Sequence, residues 1–166
     1  MSHAISFRPA RPEDVDAAIP LIYASGPDAF DFVFIQAARG DALRFLRRAF
    51  VDAGGEFSYS SHIVAEQGGR VVGIGAGYGG ATTLPFLLAA LRQIVRCYGL
   101  RAALPVIVRG LRVERVIPPV SDTRVFSLVH IAIAPELRGT GIGHALCRHL
   151  IDTGRAAGFA HFALTV

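Results

Sequence analysis

Arg138-Gly139-Thr140-Gly141-Ile142-Gly143-His144 separates a nearly uncharged strand-like run, residues 125–134, from an amphipathic helical pattern over residues 141–157. Glycines at such a junction let the main chain approach a ligand closely. The first turn of the helix that follows has amides without helix partners, and its dipole favours an anion. The stretch reads as a loop for phosphate or pyrophosphate, with Arg138 bracing the loop or adding charge. Two other nucleotide-binding patterns fail. A P-loop ends in Gly-Lys-Ser/Thr, and the chain has no Lys. A Gly-x-Gly-x-x-Gly match occurs at Gly75-Ala76-Gly77-Tyr78-Gly79-Gly80, but the acidic residue that should follow about 20 positions later is absent, Glu114 being the next. That match reads as a glycine-rich strand end.

Working outward, Pro135-Glu136-Leu137 makes the turn into the loop. The helix after it places Ile142, Ala145, Leu146, His149 and Leu150 on its inner side. Gly158 caps it, and residues 159–166 form a last strand. Upstream, residues 84–117 are rich in Leu, Val and Arg. Pro85, Gly99, Pro105 and Gly110 are expected to break them into two or three short helices. Residues 61–66 and 71–74 flank Gly68-Gly69 as the arms of a β-hairpin. Near the start, Ile5-Ser6-Phe7-Arg8 alternates like a strand. Pro12-Glu13-Asp14 opens a helix that carries Val15, Ala18, Ile19 and Ile22 and stops near Gly26-Pro27. A second helix spans residues 41–51 and ends at Gly54-Gly55.

The 166 residues suit one domain, 1–166, with 84–117 as a helical insertion. A hydrophobic content of 52% against 18% charged excludes a disordered chain. Residues 71–91 carry no charge and are long enough to span a bilayer. Their five glycines and Pro85 disfavour a helix, so no transmembrane segment is expected. All basic residues are Arg, and the net charge of +4 is too small and scattered to argue for nucleic acid. Cys97 and Cys147 lie in apolar helical patterns as small hydrophobes. His144 and His149 are five apart, not the spacing of ligands on one helix face, so no metal site is expected. No secretory signal precedes Pro9, which makes a cytoplasmic location the default.

The strand, the turn 134–137 and the Arg138-x-x-Gly141-x-Gly143 pattern together resemble the acyl-CoA-binding core of the GNAT superfamily of N-acyltransferases. Arg8-Pro9-Ala10, the Pro-Glu-Asp helix start and Ala65-Glu66 resemble the opening of the same fold. The resemblance implies an α/β fold of the α+β kind: a mixed, mostly antiparallel sheet flanked by helices. It implies backbone contacts to a pantetheine arm at Ile131 and Ile133, and pyrophosphate contacts at Arg138, Gly139, Thr140, Gly141, Gly143 and His144. It also implies acetyl-CoA as the acyl donor. The family fold continues with a further helix and two strands, so a short or missing C-terminal part is expected. A second copy of the chain would then cover the last strand's edge.

Transfer to an amine needs a proton acceptor, and His130, beside the motif strand, is the candidate, with a ring suited to proton transfer near neutral pH. His62, His144, His149 and His161 have weaker claims, and neither Tyr78 nor Tyr98 is assigned a role as acid. The expectation is an N-acetyltransferase for a primary amine of unidentified small-molecule or peptide origin, acting by direct attack in a ternary complex. The alternatives are a non-catalytic module for CoA or another anion, and a protein that uses its Arg-rich helices on a membrane surface or partner.

Overall fold

The computed structural model describes residues 4–35, 41–116 and 122–165. Strands β1 (Ile5–Pro9), β2 (His62–Gln67), β3 (Arg70–Gly79), β4 (Val125–Ile133) and β5 (His161–Leu164) form one sheet in that order. The first three pairings are antiparallel and β4 pairs with β5 in parallel. Helices α1 (Val15–Ala24), α2 (Pro27–Phe34), α3 (Asp41–Phe50) and α4 (Thr83–Val116) contribute to the core on one face. Helix α5 (Ile142–Ala156) closes the other. The mixed, mostly antiparallel sheet between helices is the architecture expected from the sequence.

Alternation explains the larger core. Val64 of β2, Ile74 of β3 and Ala132 of β4 are buried there, against Ile19 and Ile22 of α1 and Phe45, Leu46, Ala49 and Phe50 of α3. Phe34 stacks on Phe45 at 4.1 Å and binds α2 to α3. Arg8 ties the sheet to the first helical turn. Its guanidinium donates to both Asp14 oxygens at 2.8 and 2.9 Å and, through Nε, to Glu66 at 2.8 Å. The Arg11 amide donates to Asp14 as well, and these contacts hold its carboxyl below the usual range.

The glycine-rich run in β3 has a packing reason. A Cβ on Gly73 would meet Ile133 at 2.5 Å, one on Gly77 the Phe126 ring at 2.5 Å, and one on Gly79 the Phe159 ring at 2.4 Å. Gly75 faces Leu146 and Leu150. Alternate positions along β3 thus leave a bare stripe on which α5 and its aromatic neighbours rest. Gly154 of α5 answers it, with the Phe162 and Phe126 rings 2.7 and 2.9 Å from where its Cβ would stand. Gly154→Val is expected to destabilise the fold by roughly 1–3 kcal/mol through overpacking, readable as a lower urea midpoint at unchanged slope.

Three details differ from the sequence reading. Residues after Pro27 form a helix, α2, because Phe30, Val33 and Phe34 share one face that buries in the core. Helix α4 breaks only at Gly99 (φ 78°) and runs through Pro105 and Gly110, where burial of Ala103 and Val106 outweighs local propensity. Ala145 of α5 faces solvent, while Ile142, Leu146, Leu150 and Gly154 make the inner face. No helix among the described residues is long and apolar enough to cross a membrane.

Candidate active site

Gly75 of β3 lies opposite both His130 and Ile131, because the register shifts between Ile74↔Ala132 and Ala76↔Val129. The β-bulge holds His130 at φ 55°, the one described non-glycine residue with positive φ. Its effect is to exchange the edges of the strand. Before it, the Leu128 carbonyl faces β5 and accepts from Thr165 N at 3.0 Å. Beyond it, Ala134 N donates to Val72 O of β3 at 2.9 Å, so the alternating backbone turns the N–H and C=O of Ile131 and Ile133 away from β3. Pairing with β5 stops at Leu128↔Leu164. Among the described residues, β4 beyond it has no strand on that edge.

The glycine-rich loop follows. Gly139 (φ 78°) and Gly141 (φ 87°) take left-handed conformations, and a Cβ on either would meet nothing within 4 Å. Gly141 is the N-cap of α5, and the first helix bond runs from Ala145 N to Gly141 O at 3.1 Å. The amides of Ile142, Gly143 and His144 therefore leave the helix end without helical acceptors. Thr140 is exposed, but both its hydroxyl, at 2.6 Å, and its amide, at 3.4 Å, donate to Leu137 O, so the sequence expectation of a pyrophosphate contact there is set aside for the neighbouring amides. Arg138 is exposed and donates through Nε to Ile133 O at 3.3 Å, bracing the loop on the strand. This donor set and the open space above it fit a diphosphate, and the free edge of β4 fits an amide-bearing arm.

The His130 ring lies on the helical face opposite α5. It stacks on Phe57 at 5.2 Å, lies edge to edge with the near-parallel His62 ring, centroids 5.4 Å apart, and Phe30 is 6.2 Å away. His130 Nδ1 is 3.2 Å from His62 Nε2, and His62 Nδ1 is 2.7 Å from the Ser58 carbonyl. On its other side, His130 Nε2 is 3.7 Å from Glu56 Oε1, which accepts a 2.7 Å hydrogen bond from Tyr78 Oη. The His130 side chain is 11% exposed and that of Glu56 37%, so the carboxylate marks the opening. Among the described residues, no group of three or more His, Cys, Asp or Glu could hold a metal ion.

Burial governs the ionisation. Desolvation lowers His130 to about 4 and His62, which also faces His130, to about 3. The sequence expectation of a ring titrating near neutrality is corrected accordingly. Burial raises the Glu56 carboxyl, opposed by the Tyr78 hydrogen bond, and raises the Tyr78 phenol. Both imidazoles fold neutral and are easier to protonate once unfolded. Their contribution to stability is complete above the unfolded value near 6.5 and is lost as pH falls toward 4 and 3. Each ring then costs up to about 1.4 kcal/mol per pH unit, with Glu56 opposing in part. Urea titrations at pH 7, 6 and 5 should show falling stability, with a shallower fall in His62→Phe.

The sequence reading gave His62 only a weaker claim, left Tyr78 without a role and missed Glu56; all three lie far from His130 along the chain. The Gly55-Glu56 step after α3 was the available signal, an acidic residue in a glycine turn. Tyr98, by contrast, donates to Phe34 O at 3.1 Å, between α2 and α4. His149 stacks on Phe7 at 5.0 Å on the α5 face. His144 is exposed at the loop and His161 at the start of β5. A cleft of about 520 Å³ borders the 53–61 loop, with Gly55, Ser61, Phe86 and Ala89 in its walls. Phe86 packs edge-on against Tyr78 at 4.8 Å, connecting that wall to Glu56. A second cleft of about 320 Å³, between α3 and α4, shares no residue with the His130 cluster.

A bulged strand with an open edge, an amide-lined loop at a helix start and a buried imidazole beside a carboxylate thus share one α/β domain. The family model for the acetyltransferase (GNAT) family matches residues 32–166, and the chain belongs to that family. No curated protein matches it in sequence. Among solved structures, an acetyltransferase superposes with TM-score 0.68 at 19% identity, over 97% of this chain and 80% of that one. An N-acetyltransferase from Staphylococcus aureus Mu50 gives 0.62 at 21%, over 89% and 75%. A GNAT family acetyltransferase from Brucella melitensis, in complex with acetyl-CoA, gives 0.52 at 16%, over 98% and 75%. At these identities the likeness is one of fold.

Proposed function

We propose that the protein transfers an acetyl group from acetyl-CoA to a primary amine by direct attack in a ternary complex. The observation that carries this reading is the bulge at His130. It turns the Ile131 and Ile133 backbone to one side of β4, where the Ile133 carbonyl accepts from Arg138, and an imidazole toward the opposite face. Donor and acceptor can thus meet across a single strand.

Acetyl-CoA would supply an activated acyl group as a thioester. The amides of Gly139, Gly141, Ile142, Gly143 and His144 would hold its diphosphate, as helix N-termini hold anions. Arg138 keeps the loop in place. The backbone of Ile131 and Ile133 would align the pantetheine arm, and an amide of this edge would receive the charge that develops on the thioester oxygen. Glu56 draws the cationic acceptor to the opening. His130 Nε2 takes one proton of the ammonium, the amine lone pair attacks the acyl carbon, and as the C–S bond breaks the second proton of that nitrogen passes to the departing thiolate. The aromatic rings of Phe30 and Phe57 exclude water from the imidazole. The acyl donor of the Brucella melitensis neighbour supports the same ligand here.

Calorimetry with acetyl-CoA, followed by a free-thiol assay against amines, polyamines, amino acids and peptides, tests the reading. Binding together with acceptor-dependent thiol release is the expected result. Binding without release from any acceptor would reduce the protein to a CoA-holding module, and no binding would remove the proposal altogether.

A further inference from the structure

The Ser58–His62–His130 chain of contacts determines which nitrogen of His130 carries its proton. His62 Nδ1 faces a carbonyl oxygen at 2.7 Å, and a carbonyl only accepts, so this nitrogen bears the hydrogen. In a neutral ring Nε2 is then an acceptor. The atom facing it at 3.2 Å is His130 Nδ1, which must donate. That leaves the lone pair of His130 on Nε2, the nitrogen turned toward Glu56. We propose that His62 is a positioning residue that holds His130 in the Nδ1–H tautomer and so keeps Nε2 free to accept the amine proton. This rests on the acetyl-transfer reading above.

The proton balance is simple. One proton passes from the substrate ammonium to His130 Nε2, the ring becomes an imidazolium, and the amine is released for attack. The Nδ1–H bond to His62 persists throughout, because His62 cannot accept a second proton without becoming a cation in an apolar site. The new Nε2–H points at Glu56 Oε1, which meets the charge. The titratable groups that face His130 are His62 from β2, Glu56 from the preceding loop and, through Glu56, Tyr78 from β3. Phe30 and Phe57 supply its apolar walls. Without an acceptor on Nδ1, the tautomer would be set by whatever the other nitrogen meets.

Two-bond ¹⁵N–¹H spectra of ring-labelled protein read the tautomers directly, with no ligand present. The expected result is the Nδ1–H form for both rings. His62→Phe should shift His130 toward the Nε2–H form and lower kcat at least ten-fold with KM little changed. His62→Gln, whose Oε1 can still accept, should restore most of both. A wild-type His130 in the Nε2–H form, or a His62→Phe variant with an unaltered tautomer, overturns the proposal. If His62→Phe fails to fold, the wild-type and His62→Gln spectra still decide. Because the spectra do not depend on turnover, absence of acetyl transfer would count against the functional reading alone.

A separate observation concerns α4 beyond Gly99. Leu100, Leu104, Val108 and Leu111 follow the i, i+4, i+8, i+11 spacing of one helix face, and Leu100 and Leu104 are 80% and 64% exposed. Ala103 and Val106 occupy the buried side. Arg101 and Arg112 border the exposed stripe and Arg115 ends it one turn past Leu111, each without an ion pair among the described residues, and Glu114 is the sole acidic residue of the helix. We infer that this face rests on an anionic lipid bilayer, aliphatic side chains at the headgroup boundary and guanidiniums on phosphates. A two-fold pairing of this face with a second copy would oppose three arginines to the same three, with only Glu114 to compensate.

Vesicles of phosphatidylcholine alone and with 30% phosphatidylglycerol, sedimented with the protein, test this. Partition is expected at least ten-fold stronger on the anionic vesicles and should fall at high salt. Leu104→Glu/Leu111→Glu, both at exposed positions, should abolish it. No preference for anionic vesicles overturns the inference. A dimer in light scattering that the same pair dissolves would assign the face to a second copy and overturn it equally.

Discussion

His130→Ala is expected to lower kcat/KM at neutral pH by roughly 10²-fold or more, the usual contribution of a positioned general base. The ring meets both requirements of that role. It is held by a bulge, two aromatic neighbours and the His62 contact, and its Nε2 faces the acidic opening of the cluster. Its depressed pKa specifies the pH dependence. Burial brings it to about 4, so the ring is already unprotonated from about pH 5 upward. The acid limb of kcat/KM should therefore lie near 4 and should vanish in the variant, while the amine's own ionisation governs the alkaline side. A pH–rate profile identical in the two proteins would reject the role. KM for acetyl-CoA should stay close to wild type, because His130 and the loop amides lie on opposite sides of β4.

Gly141→Val is expected to weaken coenzyme A binding by about 10²-fold in calorimetry while leaving the thermal midpoint within a few degrees. Gly141 sits at φ 87° and caps α5. A β-branched residue there is strained and will rotate out of the left-handed region. The amide of Ile142 turns with it, so one or two charge-assisted hydrogen bonds to the diphosphate are lost. At about 1.5–3 kcal/mol each, this amounts to roughly two orders of magnitude. Gly141 is exposed and its missing Cβ faces open space, so the core is untouched. Affinity equal to wild type would show that the loop does not hold the diphosphate.

Much of this was legible in order along the chain. The glycine loop, the strand before it and the helix after it are local patterns whose periods and caps appear within a few residues. The glycine run in β3 was legible as a strand, since glycine disfavours a helix whatever surrounds it. Its purpose was not, because the rings that need the space come from Phe126 and Phe159, far away in sequence. Helix α2 escaped notice because it is short and follows a Gly-Pro step, and its stability comes from Phe34 stacking on Phe45. The continuity of α4 through Pro105 is likewise a result of burial at Ala103 and Val106.

For this protein, the order of residues by itself determined the strand–loop–helix junction and most of the elements, because those follow from backbone preference and hydrophobic period over short spans, while the family was legible as a resemblance of the junction's motif. Tertiary structure decided the chemistry around His130. One extra residue in β4 exchanged the strand's edges, and two residues from other segments, Glu56 and His62, met at one imidazole, with Tyr78 behind Glu56. Register and long-range contact have no local signature. They emerge only when the sheet closes and each buried polar atom must find a partner.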